Sequence, residues 1–218
     1  MNNASPASLS VVLTIIESAA TIAFALSGLL AAARKRLDAV GVCMVAGLAA
    51  FGGGTLRDVL LDRRPFFWVQ QAHWVWVLLI LCVLAMVFMR ARHFAPTARA
   101  MQWPDAAGLG LFTASGTQIA LNSGAPPIVA VLMGMVTAVF GGVLRDVVCN
   151  EIPSAFSDHR PYAICAFVGG WVLVLATMLG VSDEMALIGA ALITALMRSL
   201  ALLTDFSLPR WLPDEERS

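Results

Sequence analysis

Two pairs of neighbouring charged residues lie inside otherwise apolar stretches of this chain. Arg57-Asp58 begins three residues after the run Gly52-Gly53-Gly54, and Arg145-Asp146 begins three residues after Gly141-Gly142, with Phe140 in place of the first glycine. Ionisable side chains in apolar spans are costly and usually pair, facing a bundle interior or water. Two roles stay open: carboxylates that concentrate cations while the arginines brace or gate a path, and a structural network of ion pairs at helix ends.

The glycine clusters predict a weak point in each of two helices. A glycine inside a helix costs roughly 1 kcal/mol relative to alanine, so Gly52 to Gly54 and Gly141-Gly142 favour a break that frees backbone carbonyls. A broken helix is tolerated in a bilayer only where its backbone is buried in protein or lines a wet cavity. Freed carbonyls suit a partly dehydrated monovalent cation, which we expect to bind there. The alternative is that these small residues only allow close packing of helices.

Other polar residues within the apolar stretches are candidates for an accessory role. Glu17 and Asp105 stand near the first turns of their spans, where a helix N-terminus stabilises a carboxylate. A place at the entrance of a pathway is the alternative for both. Ser27, Ser115 and Thr117 carry hydroxyl groups that either bond into the predicted breaks or bond back to their own helices.

The composition indicates a protein whose solvent is largely lipid. Hydrophobic residues make up 59% of the 218 residues, charged residues only 13%, and the mean hydropathy is +0.82. A soluble domain has about 45–50% apolar and about 25% charged residues. The formal net charge is zero, so no overall field attracts nucleic acid. The sequence holds no enzymatic motif, and it predicts no cofactor, only a transported monovalent cation and room for bound lipid.

Seven stretches approach or meet the roughly 20 apolar residues that a spanning helix needs. They are 9–33, 39–62, 73–90, 104–121, 127–149, 162–181 and 184–204. This pattern predicts an all-α polytopic membrane protein with seven transmembrane helices. We expect a single transmembrane domain over residues 1–206 and a flexible cytoplasmic tail over residues 207–218.

The basic residues outside the spans predict the orientation. With the N-terminus outside, nine basic residues lie inside and two outside, and the positive-inside rule favours this arrangement, with the C-terminus inside. The inside residues are then Arg34, Lys35, Arg36, Arg90, Arg92, Arg99, Arg160, Arg210 and Arg217, and the outside residues are Arg63 and Arg64.

The two halves of the chain are copies of one unit. A shift of 88 residues superposes Glu17 on Asp105, Phe24 on Phe112, Ser27-Gly28 on Ser115-Gly116, Gly53-Gly54 on Gly141-Gly142, Leu56 to Val59 on Leu144 to Val147, and Pro65 on Pro153. Each copy has three spans, an odd number, so the second copy enters the membrane from the opposite side. The prediction is an inverted repeat, about 9–93 and about 100–181, followed by a seventh helix at about 184–204. In such folds the substrate or ion site tends to lie near the midplane, between the glycine-interrupted helices.

These motifs resemble a known family. Phe24 to Gly28, Asp38, Gly52 to Asp58 and Pro65, with Gly116-Thr117, Gly141 to Asp146 and Pro153 in the second copy, resemble the prokaryotic branch of the trimeric intracellular cation channel family. Sequences of this kind are also described as glycine-transporter-domain or uncharacterised membrane proteins. The resemblance covers about residues 10–205.

The resemblance implies a homotrimer of seven-helix protomers, each with its own pore for K⁺ and Na⁺. The kinks of the pore-lining second and fifth helices would fall at Gly52 to Gly54 and at Gly141-Gly142. The chain departs from the family pattern at Phe140, which implies a milder second break. It also lacks the lysine-centred motif that the animal branch carries in its fifth helix.

Two functions follow from these features. The first is a channel for monovalent cations. The second is a secondary transporter of a small zwitterion such as glycine, since half-helix N-termini bind a carboxylate and freed carbonyls bind an ammonium group or Na⁺. A structural scaffold has no need for duplicated glycine clusters and charges in lipid.

Overall fold

The computed structural model describes residues 6–92, 97–157 and 160–204, and these form nine helices. The helices are α1 (Pro6–Arg34), α2 (Ala39–Leu60), α3 (Phe67–Gln70), α4 (His73–Arg92), α5 (Ala98–Asn122), α6 (Pro127–Val148), α7 (Ser154–Ser157), α8 (Ala163–Met178) and α9 (Asp183–Leu203). All seven predicted spans are helices, and the all-α membrane fold is confirmed. The predicted tail over residues 207–218 lies outside the described residues.

Within the described part of the chain, four helices are long and apolar enough to cross a membrane: α1 from Ser8, α2, α6 and α9. Two more, α4 and α8, contain shorter apolar segments. The remaining long helix, α5, is less apolar because it lies at the centre of the bundle, packed against α1, α6, α8 and α9. The polar residues from Asp105 to Gln118 are therefore buried in protein rather than exposed to lipid. They are Asp105, Thr113, Ser115, Thr117 and Gln118.

The start of α5 differs from the prediction. The helix begins at Ala98, six residues before Pro104, which lies inside the helix and not at its first turn. The Thr97 side chain accepts a hydrogen bond of 3.2 Å from the Ala100 amide and so caps the helix. A threonine cap satisfies an amide that would otherwise lack a partner, and this stabilises the earlier start.

The two copies of the repeat have the same order of elements. In the first copy α1 and α2 are followed by the one-turn helix α3 and by α4, and in the second copy α5 and α6 are followed by α7 and α8. Asp62 and Asn150, one shift of 88 apart, both adopt a left-handed conformation (φ 50° and 54°) just after α2 and α6. Asp and Asn tolerate this conformation better than most residues. The helix α9 has no counterpart in the first copy and packs on α5 and α8.

Candidate functional site

The first arginine of the duplicated motif is the centre of a buried ion-pair cluster. Arg57 lies near the end of α2, and its side chain is completely buried. Its Nη1 donates to Oε1 of Glu17 on α1 at 2.6 Å, while Nε and Nη2 donate to Oδ1 of Asp58 at 3.0 and 2.8 Å. The other oxygen of Asp58 accepts the amide of Phe67 at 2.8 Å. This cluster, which we call cluster 1, ties α1 and α2 to the start of α3.

A second cluster, cluster 2, repeats this arrangement in the other half. Nη1 of Arg145 donates to Oδ1 of Asp105 on α5 and to Oγ of Ser27 on α1, and Nε donates to Oδ1 of Asp146 at 2.8 Å. Oδ2 of Asp146 accepts both the amide and the hydroxyl of Ser154, at 2.9 and 3.1 Å. Cluster 2 therefore ties α5 and α6 to the start of α7, as cluster 1 does for α2 and α3.

Each cluster holds one arginine and two carboxylates. Burying a charge is tolerated when it is paired and hydrogen-bonded, and removing one partner from such a set leaves an uncompensated buried charge. The arginines satisfy this condition through several donors each, and in cluster 1 a second, exposed cation, Arg63, approaches Asp58 at 3.5 Å. In this geometry both motifs join neighbouring helices through ion pairs. The carboxylates of each cluster outnumber its one buried arginine, which makes the surroundings favourable to cations, and Arg63 offsets part of this effect at cluster 1.

The clusters differ in their serine. Ser27 accepts from Arg145 and donates to the Met101 carbonyl at 3.3 Å. Ser115, its equivalent after the shift of 88, is buried and has no hydrogen-bond partner among the residues that the structure describes. Thr117 donates to the Thr113 carbonyl at 2.8 Å, so its hydroxyl is bonded back to its own helix.

The helices α2 and α6 cross at the glycine clusters without a break. A Cβ atom at Gly53 would overlap the Thr137 carbonyl oxygen, and one at Gly141 would overlap the Ala49 carbonyl oxygen. Since a shift of 88 carries Ala49 to Thr137 and Gly53 to Gly141, the two contacts are equivalent, and they show that the helices run antiparallel. The predicted helix breaks are wrong: α2 is continuous over Ala39–Leu60 and α6 over Pro127–Val148.

The physical reason is the absence of side chains at this crossing. Without Cβ atoms the two backbones approach closely, and this packing stabilises helix pairs in lipid. The helices keep their own hydrogen bonds, whose loss in hydrocarbon costs several kcal/mol for each group. The close-packing alternative therefore describes these glycines, and their carbonyls are not freed for a cation.

The first and last positions of each cluster lie on different faces of the helix. Gly52 and Phe140, which are equivalent under the shift, both line an apolar groove of about 470 Å³ between α2, α6 and Trp68. Gly54 and Gly142 face inward, towards the clusters, and both are buried. A Cβ at Gly142 would lie 3.1 Å from Oη of Tyr162 and 3.5 Å from Oδ1 of Asp105.

One basic residue lies deeper than its position near the end of the last span suggests. Arg198 on α9 is 1% exposed, and its guanidinium lies 4.8 Å from the centre of the Tyr162 ring. Its side chain is buried because α9 packs against α8 and α5, and this face of α9 looks into the bundle. A guanidinium over an aromatic face is a favourable buried arrangement.

The comparisons with known proteins agree with this architecture. The family model described as "Glycine transporter" matches residues 14–90 and again residues 102–178. A UPF0126 membrane protein of Vibrio cholerae is 35% identical over 201 residues, which cover 90% of this chain and 82% of that protein. The UPF0126 inner membrane protein YadS of Escherichia coli K12 is 35% identical over 205 residues, covering 92% and 96%.

Solved structures decide the family. The TRIC trimeric intracellular cation channel orthologue from Rhodobacter sphaeroides has a TM-score of 0.82 and 32% identity, covering 89% of this chain and 99% of that one. A second structure, described as the structural basis for conductance through TRIC cation channels, has a TM-score of 0.81 and 32% identity, and the match covers 92% of this chain and 97% of that one. The chain belongs to the prokaryotic TRIC family. The resemblance inferred from the duplicated motif is confirmed.

The TRIC assignment settles several coarse properties of the chain. The two segments matched by the family model are offset by 88 residues, the same shift that superposes the motifs. The family consists of channels and not of enzymes, in agreement with the lack of an enzymatic motif. Like its relative YadS, the chain is a multi-pass inner membrane protein.

The TRIC fold brings most of the predicted residues together, though not as one site. Cluster 1 takes up Glu17, Arg57 and Asp58, and cluster 2 takes up Asp105, Arg145, Asp146 and Ser27. Glu17 and Asp105 are interior residues of α1 and α5 that pair with arginines, so the expectation of a helix N-terminal position is wrong.

Sequence reasoning missed two residues that contact the clusters. Phe67 and Ser154 begin α3 and α7, and their amides bind the second oxygens of Asp58 and Asp146. The signal that points to them is the paired proline, Pro65 and Pro153, which stands one or two residues before each short helix.

Proposed function

We propose that the protein is a channel for monovalent cations, K⁺ and Na⁺, with one ion pathway in each protomer. The observation that carries the proposal is the pair of buried, carboxylate-rich clusters at opposite ends of the α2–α6 crossing. In the antiparallel register Met133 of α6 is level with Arg57, so the clusters are twelve residues or about 18 Å apart along the helix axis. That separation lies within a hydrocarbon core of about 30 Å.

The pathway that we propose runs along α2 and α6 past both clusters. Glu17 and Asp58 attract cations at one end, and Asp105 and Asp146 do so at the other, while the arginines hold the carboxylates in place. The glycine crossing lies between the clusters and closes the route in this conformation. Conduction then requires α2 and α6 to separate at Gly53 and Gly141.

The proposal extends to assembly and orientation. The solved relative from Rhodobacter sphaeroides is described as trimeric, and its similarity over nearly the whole chain supports a homotrimer here. The distribution of basic residues supports an outer N-terminus and an inner C-terminus in the inner membrane, which places cluster 1 at the outer end and cluster 2 at the cytoplasmic end.

A second candidate is a carrier of glycine, which the description of the matching family model favours. The two candidates differ in rate, because a channel passes many ions per opening and a carrier moves one substrate per conformational cycle. Planar bilayer recording of the purified protein under a K⁺ gradient separates them. Unitary currents that reverse near the K⁺ equilibrium potential support the channel. Saturable glycine counterflow in vesicles, without unitary currents, would replace it with the carrier.

A further inference from the structure

The two ends of the α2–α6 crossing differ at one pair of equivalent positions. Above Gly54 lies an aromatic ring, since a Cβ there would stand 2.9 Å from Cδ1 and 3.0 Å from Cζ of Phe67. Above Gly142 lie polar atoms. A Cβ atom at Gly142 would stand 3.1 Å from Oη of Tyr162, 3.5 Å from Oδ1 of Asp105 and 3.7 Å from Nη2 of Arg145. The inward face of the crossing is therefore apolar at the cluster 1 end and polar at the cluster 2 end.

Several contacts hold the ring of Phe67 in this place. Its amide donates to Oδ2 of Asp58 at 2.8 Å, and its ring centre lies 5.6 Å from the Arg57 guanidinium and 6.1 Å from the ring of Phe51. The next residue, Trp68, donates its indole N–H to Oγ1 of Thr55 on α2 at 3.0 Å. The short helix α3 is thus fastened to α2 beside Gly54.

Among the described residues of the second copy, the short helix α7 places no ring over Gly142. The shift of 88 carries Phe67 to Ala155 on α7, and this small side chain packs against the core between α5, α6 and α8. The aromatic side chain of α7 is Phe156, which is 71% exposed and so does not cover Gly142.

We propose that Phe67 is the apolar barrier of the ion pathway, at the end that holds Glu17 and Asp58. This inference rests on the proposed channel function and adds a second barrier to the glycine crossing, at the cluster 1 end of the route. An apolar constriction excludes water and ions without a complete steric block, and the ring covers the one inward-facing glycine at this end of the crossing. The bond from the Phe67 amide to Asp58 couples the position of the barrier to cluster 1, so that opening moves α3 relative to α2.

The test separates an apolar barrier from simple packing. Phe67→Gln and Phe67→Leu both remove the aromatic ring, but only glutamine allows water to enter. In bilayer recordings of the full-length protein, Phe67→Gln is expected to raise the open probability roughly tenfold, the equivalent of about 1.4 kcal/mol. Phe67→Leu is expected to stay within about twofold of the unchanged protein, since its side chain remains apolar.

Phe66→Gln is the matched control, because Phe66 is also partly buried and aromatic but stacks on Trp68 and Arg64, away from Gly54. It is expected to leave the open probability unchanged. Equal open probabilities for Phe67→Gln and Phe67→Leu overturn the barrier while leaving the channel function intact. A complete lack of unitary current from the unchanged protein removes the channel function itself.

If Phe67→Gln does not assemble, Phe67→Cys gives the same information. In a background whose four native cysteines are replaced, a small charged methanethiosulfonate is added during recording, so that each channel is compared with itself. The current is expected to rise once the charge is attached at position 67. A current that is unchanged although the label is attached contradicts the proposal.

Discussion

The backbone contact at Gly53 predicts a large effect of a single added methyl group. In Gly53→Ala the new Cβ meets the carbonyl oxygen of Thr137, an atom held in the hydrogen bonds of α6. A flexible side chain could rotate away from it, but a helix carbonyl cannot. The two helices must therefore move apart along the crossing, and the equivalent contact between Gly141 and Ala49 is strained with them.

The expected magnitude follows from two opposing terms. Alanine is preferred over glycine inside a helix by about 1 kcal/mol, whereas overpacking of a close contact costs about 1–3 kcal/mol, occasionally more. A backbone obstacle places the cost at the upper end, so the net loss in the free energy of unfolding is about 2 kcal/mol. Gly47→Ala on the same helix is the matched control, since its Cβ meets Leu78 Cδ2 at 3.5 Å, an ordinary contact. It is expected to gain up to about 1 kcal/mol.

Thermal unfolding of both variants in one detergent measures the difference. A gap of about 3 kcal/mol corresponds to roughly 6–12 °C in Tm for a chain of this size. Gly169→Ala extends the comparison, because its Cβ meets the side chain of Thr194, and Thr194→Ala is then expected to restore stability. Thr137→Ala should not rescue Gly53→Ala, since the obstacle there is backbone. A Gly53→Ala protein as stable as Gly47→Ala refutes the account of the crossing.

The clusters yield three further predictions. Arg145→Gln leaves two buried carboxylates without their cation, and chemical denaturation should show a loss of about 3–5 kcal/mol; the loss for Arg57→Gln is expected to be smaller, because Glu17 is partly exposed and Arg63 still approaches Asp58, and a change under about 1 kcal/mol for Arg145→Gln contradicts the bracing role. Ser27→Ala removes an acceptor of Arg145 and is expected to lower stability by about 1 kcal/mol, whereas Ser115→Ala removes a group without a partner and should be neutral or stabilising; thermal unfolding of the pair decides. Asp58→Asn is expected to weaken cation over anion selectivity in bilayers, and an unchanged reversal potential restricts Asp58 to its structural contacts.

The membrane fold could be predicted from the chain because its causes are local or repeated. Apolar length predicts a helix wherever a span needs one, and even the less apolar helix α5 is among the seven predicted stretches. The shift of 88 also indicates the arginines and carboxylates of both clusters, because ionisable side chains inside a membrane are costly and usually pair. The sequence did not predict which distant carboxylate each arginine binds. Glu17 lies forty residues before Arg57, and Asp105 lies forty residues before Arg145.

The glycine clusters show the limit of this reasoning. A run such as Gly52-Gly53-Gly54 weakens a helix when the helix stands alone, and it allows close packing when another backbone lies opposite. The composition, the repeat and the resemblance to a family follow from the sequence alone. Whether the glycines break or pack was decided by the carbonyl oxygens of Thr137 and Ala49, and the ring of Phe67 over Gly54 likewise depends on how α3 returns to α2. These contacts exist only in the folded bundle, because no local sequence pattern determines which atoms come together there.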